Sequence, residues 1–280
     1  MQVTAEMVRE LREKTGAGMM DCKKALTESA GDIEGAITYL REKGLSAAAK
    51  KSGRVASEGM AAVVVEGPKA GIIEVNCETD FVSRNLDFQA LVYDLAMRSL
   101  SAKDLLSETQ SLLNEKISTI GEKIAIRRYA VLEGGDLYGS YVHMGGAMAA
   151  LVELKGASKA QQDLAKDLAM HVAAAAPSFL RREDVDAQTL ESERSILRNQ
   201  VLEQGKPANI VDRIVAGKME KFFTDNCLLE QKFVKDPEIS IAQLLQDSNA
   251  TLTRFVRYKV GEGIEKKTDD FAQEVAKMIG

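Results

Sequence analysis

Asp94-Leu95-Ala96-Met97 recurs as Asp167-Leu168-Ala169-Met170, and each copy is preceded by an apolar hairpin and followed by a strand of the form Arg-Tyr-x-Val-x-Glu-Gly. The hairpins span 61–75 and 141–154, and the closing strands 128–134 and 257–263. A skeleton used twice in the same order predicts one folding unit duplicated. Each unit reads as an antiparallel sheet with its helices segregated to one side, so the fold class is α+β.

Comparing the copies locates what they do not share. Glu74 to Asp94 spans 20 positions against 14 from Glu153 to Asp167, so the first copy holds six extra residues where Thr79-Asp80-Phe81-Val82-Ser83-Arg84 stands. Met97 to Arg128 spans 31 positions against 87 from Met170 to Arg257, which gives the second copy an insertion of 56. Repeats share a fold while function sits in what is grafted onto it, so both insertions are candidate functional segments. The first follows the strand Glu74-Val75-Asn76-Cys77-Glu78 and sets an acid beside a bare aromatic. These residues also allow a plainer reading, in which Thr79 or Asp80 caps the helix of Leu91 and Phe81 staples that helix to the sheet. The second insertion reads as a helical hairpin: Leu190, Ile196, Leu197, Val201 and Leu202 mark one helix, Gly205-Lys206-Pro207 the turn, and Ile210, Val211, Ile214, Val215, Met219 and Phe222 the other.

Outside the repeats, residues 4–44 read as three short helices, with Thr4 and Asp32 as N-caps, a break at Gly16-Ala17-Gly18 and a stop at Gly44. A module of this size buries little core and is expected to dock on something larger. Met19 and Met20, beside Lys23 and Lys24, are either core methionines or part of an adaptable binding surface. Residues 46–57 read as a helical tail or linker whose Lys50, Lys51 and Arg54 are either solvated or touch RNA. Within the repeats, strands are expected at 59–66, 71–77, 124–132, 137–144, 148–154 and 251–260. Helices are expected at 85–99, with Phe88, Leu91, Leu95 and Met97 inward, and at 105–122, 159–175 and 241–247. A final amphipathic helix at 265–278 would carry Phe271, Val275 and Met278 on one face.

Composition narrows the chemistry. Apolar residues make up 45% and charged residues 28%, ordinary for a globular chain, and 280 residues are enough for two or three domains. With 37 basic against 42 acidic residues and a net charge of -5, nonspecific nucleic-acid binding is not the expected task. No apolar run nears the ~20 residues of a membrane span, and residues 1–15 lack a signal-peptide core, so the expected location is the cytoplasm. Cys22, Cys77 and Cys227 are far apart and Cys77 lies in an apolar strand, which reads as an inert core thiol; the rival reading is a thiol enzyme. His143 and His171 have no neighbouring ligand set for zinc. Neither Gly205-Lys206-Pro207 nor Gly217-Lys218-Met219 completes a phosphate-binding loop, and no G-x-S-x-G elbow is present. Covalent catalysis, a bound cofactor and a metal centre are therefore not expected.

Two long motifs carry a specific resemblance. Leu11-Arg12-Glu13-Lys14-Thr15-Gly16-Ala17-Gly18-Met19-Met20-Asp21-Cys22-Lys23-Lys24-Ala25-Leu26 and Glu74-Val75-Asn76-Cys77-Glu78-Thr79-Asp80-Phe81-Val82 resemble the bacterial elongation factor Ts family. The resemblance continues through Gly121-Glu122-Lys123-Ile124, Gly139-Ser140-Tyr141-Val142-His143, Met170-His171-Val172-Ala173-Ala174 and Gly261-Glu262-Gly263-Ile264-Glu265-Lys266. It implies a non-covalent nucleotide exchange factor that binds elongation factor Tu, in its GDP-bound and nucleotide-free states, and releases GDP. Asp80 and Phe81, with Thr79 and Val82, would reach between two helices of the partner near its magnesium site. Arg12, Met19, Met20 and Lys23 would contact its GTPase domain, and His143 another domain. The resemblance also implies an N-terminal module with its linker (1–54), two core subdomains (55–136, and 137–179 with 227–263), a coiled-coil arm (180–226) and a C-terminal helical module (264–280). Some family members dimerise through the arm or core, which leaves a homodimer or a 2:2 complex open. The rival class is an RNA- or ribosome-binding adaptor without exchange activity, whose binding would fall steeply with salt.

Overall fold

Helices α1 (Ala5–Thr15), α2 (Met19–Glu28) and α3 (Ile33–Lys51) open the chain in the computed structural model, which describes residues 3–265. Thr4 Oγ1 accepts from the Met7 N–H at 3.3 Å and Asp32 from the Gly35 N–H at 2.9 Å, while Gly16 ends α1 in the left-handed region at φ 65°. Leu11, Cys22, Ala25, Leu26 and Ala36 form the small core these helices share.

The first sheet follows. Strands β1 (Glu58–Glu66) and β2 (Lys69–Cys77) make a hairpin; then come α4 (Asp80–Ser83), α5 (Leu86–Ser99), α6 (Leu105–Ile120) and β3 (Ala125–Glu133). The order is β1-β2-β3, antiparallel throughout. The second sheet is built from β4 (Leu137–His143) and β5 (Met148–Lys155), after which come α7 (Gln162–Ala175), α8 (Ala187–Glu203), α9 (Ala208–Asn226), the short β6 (Lys232–Phe233) and β7 (Asp236–Ser240), α10 (Ile241–Asp247) and β8 (Thr251–Lys259). Its order is β4-β5-β8, again antiparallel. The α+β class is thus observed, and the duplication is visible down to its irregularities. The register of β2 on β3 slips at Glu74/Val75, and that of β5 on β8 at Glu153/Leu154, so the two matching glutamates stand at matching bulges.

Period-two alternation decides which side chains go to which layer. From the first sheet, Met60, Ala62, Ile73 and Val75 pack under Phe88, Leu91 and Leu95 of α5 and Leu113 and Ile117 of α6. Their neighbours Ala61 and Ile72 point the other way and meet Ala149, Leu151 and Tyr258 of the second sheet. On that sheet Ala150, Val152 and Leu154 face Leu168, Ala169 and Val172 of α7. The result is helix, sheet, sheet, helix, and β2 is buried along nearly its whole length.

Several expectations are corrected. Gly44 does not stop α3, which runs on to Lys51; it is buried where α3 crosses α6, and a Cβ there would stand 3.4 Å from the Asn114 carbonyl oxygen. The glycine marks a close approach of two helices, and it is on α6 that the N-terminal helices dock. Met97 is 41% exposed: two residues beyond Leu95, it lies on the opposite side of α5, and Val92 and Ala96 fill the face assigned to it. In the helical hairpin α8–α9, Val201, Val211, Val215 and Met219 form the seam with Leu190, Leu197, Ile214 and Phe222, whereas Ile196, Leu202 and Ile210 are exposed. The pair β6–β7 is unanticipated, since one strand has two residues and the other contains Pro237. The C-terminal helix expected at 265–278 lies, but for residue 265, outside the described residues. Among the described residues no helix is long and apolar enough to cross a membrane.

Candidate functional site

Strand β2 runs out at Cys77, and the six extra residues of the first copy form the single turn α4. Thr79 Oγ1 caps this turn by accepting from the Val82 N–H at 3.4 Å, and Ser83 Oγ donates to the Asp80 carbonyl at 2.9 Å. The plainer reading of these residues is overturned: Thr79 and Asp80 do not cap the helix of Leu91. Asn85 does, its Oδ1 accepting from the N–H groups of Asp87 at 2.7 Å and Phe88 at 3.4 Å. Nor does Phe81 staple anything, because it is 83% exposed. The side chain of Val82 turns inward against Phe88 and its neighbours. Asp80 pairs with Arg84 at 3.0 Å across open surface, an ion pair of little energetic weight. Of the four residues, Thr79 and Val82 anchor the turn, and Asp80 and Phe81 project from it.

The anchorage reaches across the sequence. Glu122 Oε2 accepts from the backbone N–H groups of Glu78 and Thr79, both at 3.0 Å, and its Oε1 accepts from Thr79 Oγ1 at 2.6 Å. In return Glu78 Oε1 accepts from the Lys123 N–H at 2.6 Å and from Arg54 Nη1 at 3.3 Å. Lys123 Nζ donates to the carbonyls of Ser52 at 2.6 Å and Arg54 at 2.8 Å, which ties the segment after α3 into the same junction. Sequence reasoning gave Glu122 and Lys123 no role beyond their place in the resemblance. The available signal was Gly121, the left-handed end of α6 at φ 88°, followed at once by a charged pair before a strand.

The other expected residues lie on other elements. Met19 and Met20 are 60% and 73% exposed at the start of α2, so the core-methionine alternative fails for both, and Arg12 and Lys23 are exposed nearby on α1 and α2. His143 ends β4, exposed, with Nδ1 3.0 Å from the Tyr141 hydroxyl and the two rings stacked. Among the described residues, none of the recorded hydrogen bonds or ion pairs links these side chains to residues 79–82.

Reactive chemistry finds no support at the cysteines. Burial, reinforced by the negative charge of Glu122, pushes the Cys77 thiol up to about 12, and burial pushes Cys227 up to about 11. Neither is a thiolate near pH 7, which removes the ground for a thiol enzyme. Among the described residues no group of three or more His, Cys, Asp or Glu is disposed to hold a metal ion. Arg54, one of three cations offered for RNA contact, pairs with Glu78 at 3.3 Å.

A model of the family described as Elongation factor TS matches residues 78–262, more than half of the chain, from just after the β1–β2 hairpin of the first repeat to the glutamate that Arg257 holds at the end of the second. The chain belongs to the elongation factor TS family, whose work is translation elongation in protein biosynthesis.

Proposed function

We propose that this protein is a guanine-nucleotide exchange factor that binds elongation factor Tu and promotes GDP release by disturbing its magnesium and phosphate site. The observation that carries the reading is Phe81, a phenyl ring 83% exposed on a turn fixed at its base. Burying such a ring in a partner is worth roughly 2 kcal/mol. An exchange factor works only if it binds the nucleotide-free partner better than the loaded one, and linkage then requires nucleotide to weaken the factor equally. A ring inserted between helices favours a partner conformation in which the metal and phosphate contacts cannot all be kept. Asp80 beside it brings negative charge toward those groups. No covalent step and no bound cofactor are needed.

Arg12, Met19, Met20, Lys23 and His143, all exposed, are proposed as holding contacts that supply affinity. The five units 1–54, 55–136, 137–179 with 227–263, 180–226 and 264–280 are proposed as its modules, with α8–α9 as a coiled-coil arm open to dimer contact. The cytoplasm is the proposed site of action. Release of mantGDP from elongation factor Tu, followed with and without the protein, tests the reading: catalytic acceleration supports it, and an unchanged rate ends it. Capture of RNA in a strongly salt-dependent manner, with no effect on release, would favour the adaptor class instead.

A further inference from the structure

We infer that Glu122 is the positioning residue of the exchange turn: its carboxylate fixes the point from which Asp80 and Phe81 project. The inference rests on the reading of that turn given above. Every polar atom of Thr79 is held. Its N–H and hydroxyl donate to Glu122, at 3.0 and 2.6 Å. Its carbonyl accepts from Cys77 Sγ at 3.2 Å and from the Ser83 N–H at 3.3 Å. The hydroxyl does two jobs, and Glu122 sets their direction. With its proton committed to the carboxylate, the Thr79 oxygen presents a lone pair to the Val82 N–H and so caps α4.

A single turn of four residues has no stability of its own, because helix nucleation is unfavourable. Its order comes from the cap at one end and from Val82 packed on the core. Remove the carboxylate and the cap loses orientation while two backbone N–H groups lose their acceptor. Phe81 then samples many directions, and the ordering must be done during the exchange step itself. Glu122 touches neither metal nor nucleotide in this scheme. It acts through Thr79 over a separation of 43 residues, and the reciprocal bond from Lys123 to Glu78 keeps the two segments in register.

The test uses the full chain and mantGDP release from elongation factor Tu at saturating factor. Glu122→Gln keeps the shape but sets an amide N–H₂ where an acceptor is needed. It should lower the plateau release rate by about tenfold, while affinity for the nucleotide-free partner changes by less than about threefold. A purely structural loss would lower the melting temperature and reduce rate and affinity together. Thr79→Val should reproduce the rate defect, and Thr79→Ser should restore the parent rate; this pair decides the matter even if Glu122→Gln fails to fold. In a Phe81→Ala background, Glu122→Gln should add no further loss, since what it positions is gone. A folded Glu122→Gln or Thr79→Val protein that releases GDP at the parent rate, or defects that multiply independently with Phe81→Ala, would overturn the inference alone. A Phe81→Ala protein at the parent rate would remove the turn's role, and the inference with it.

Discussion

Glu74→Ala should cost about 4 kcal/mol of folding stability. Its carboxylate is fully buried at the bulge of β2 and accepts from Arg127 Nη1 at 2.9 Å, Arg128 Nε at 2.6 Å and the Gly261 N–H at 2.9 Å. The last bond comes from just beyond β8, so this one side chain joins the central strand of one sheet to the end of an edge strand of the other. Charge-assisted bonds of this kind are worth about 1.5 to 3 kcal/mol each. Because the arginines are 26% and 32% exposed and can turn to water, the lower figure applies to both, with about 1 kcal/mol more for the stranded N–H. Glu153, at the matching bulge, leans on Arg254, which is 48% exposed, and on Thr253 Oγ1 at 2.6 Å, so Glu153→Ala should cost only about 2 kcal/mol. Burial pushes the Glu153 carboxyl up, but the bonds from Arg254 and Thr253 outweigh it and hold it below the usual range. Its contribution is therefore full above the ordinary carboxylate range and disappears as pH falls through the lowered value. Urea unfolding followed by circular dichroism with linear extrapolation measures both. A Glu74→Ala loss under about 1 kcal/mol, or one no larger than that of Glu153→Ala, would refute the reasoning.

Two further outcomes follow from buried contacts. His171 is fully buried with Nε2 at 3.0 Å from Gln231 Oε1 and Nδ1 accepting from the Val234 N–H, a pattern only the neutral ring satisfies; burial lowers its pKa, and the Gln231 bond offsets this only in part. The unfolded chain then binds the extra proton more readily, so the melting temperature should fall on acidification from about pH 7 to about pH 5.5, and His171→Phe should flatten that dependence. At the crossing of α3 and α6, Gly44→Ala should be tolerated, gaining up to about 1 kcal/mol of helix propensity, whereas Gly44→Leu should lift the N-terminal helices away and expose residues 52–57 to limited proteolysis.

The duplication was legible because it is written twice: the tetrapeptides of 94–97 and 167–170 lie on matching helices, and the glutamates of 74 and 153 mark matching bulges. The segment that carries Phe81 was located by subtraction, since the second copy begins its helix without it, but the sequence left open whether the ring stapled a helix or projected. The junction that holds it was not legible. Glu122 and Thr79 are 43 residues apart, and nothing in the local pattern of a glutamate before a strand says which N–H groups it will accept from. Local signals also misled where tertiary packing decided the outcome. Gly44 has the form of a helix stop and serves as a contact point, and Thr79, read as a cap for the longer helix, caps a turn that propensity alone would not support.

The central claim is tested most directly by Phe81→Ala. In stopped-flow release of mantGDP from elongation factor Tu at saturating factor, it should lower the rate at least about tenfold, equivalent to about 1.4 kcal/mol, with Asp80→Ala smaller and in the same direction. Complex formation should weaken less than release if Arg12, Met19, Met20, Lys23 and His143 hold the partner independently. A Phe81→Ala protein that binds elongation factor Tu and releases GDP at the parent rate would contradict the account.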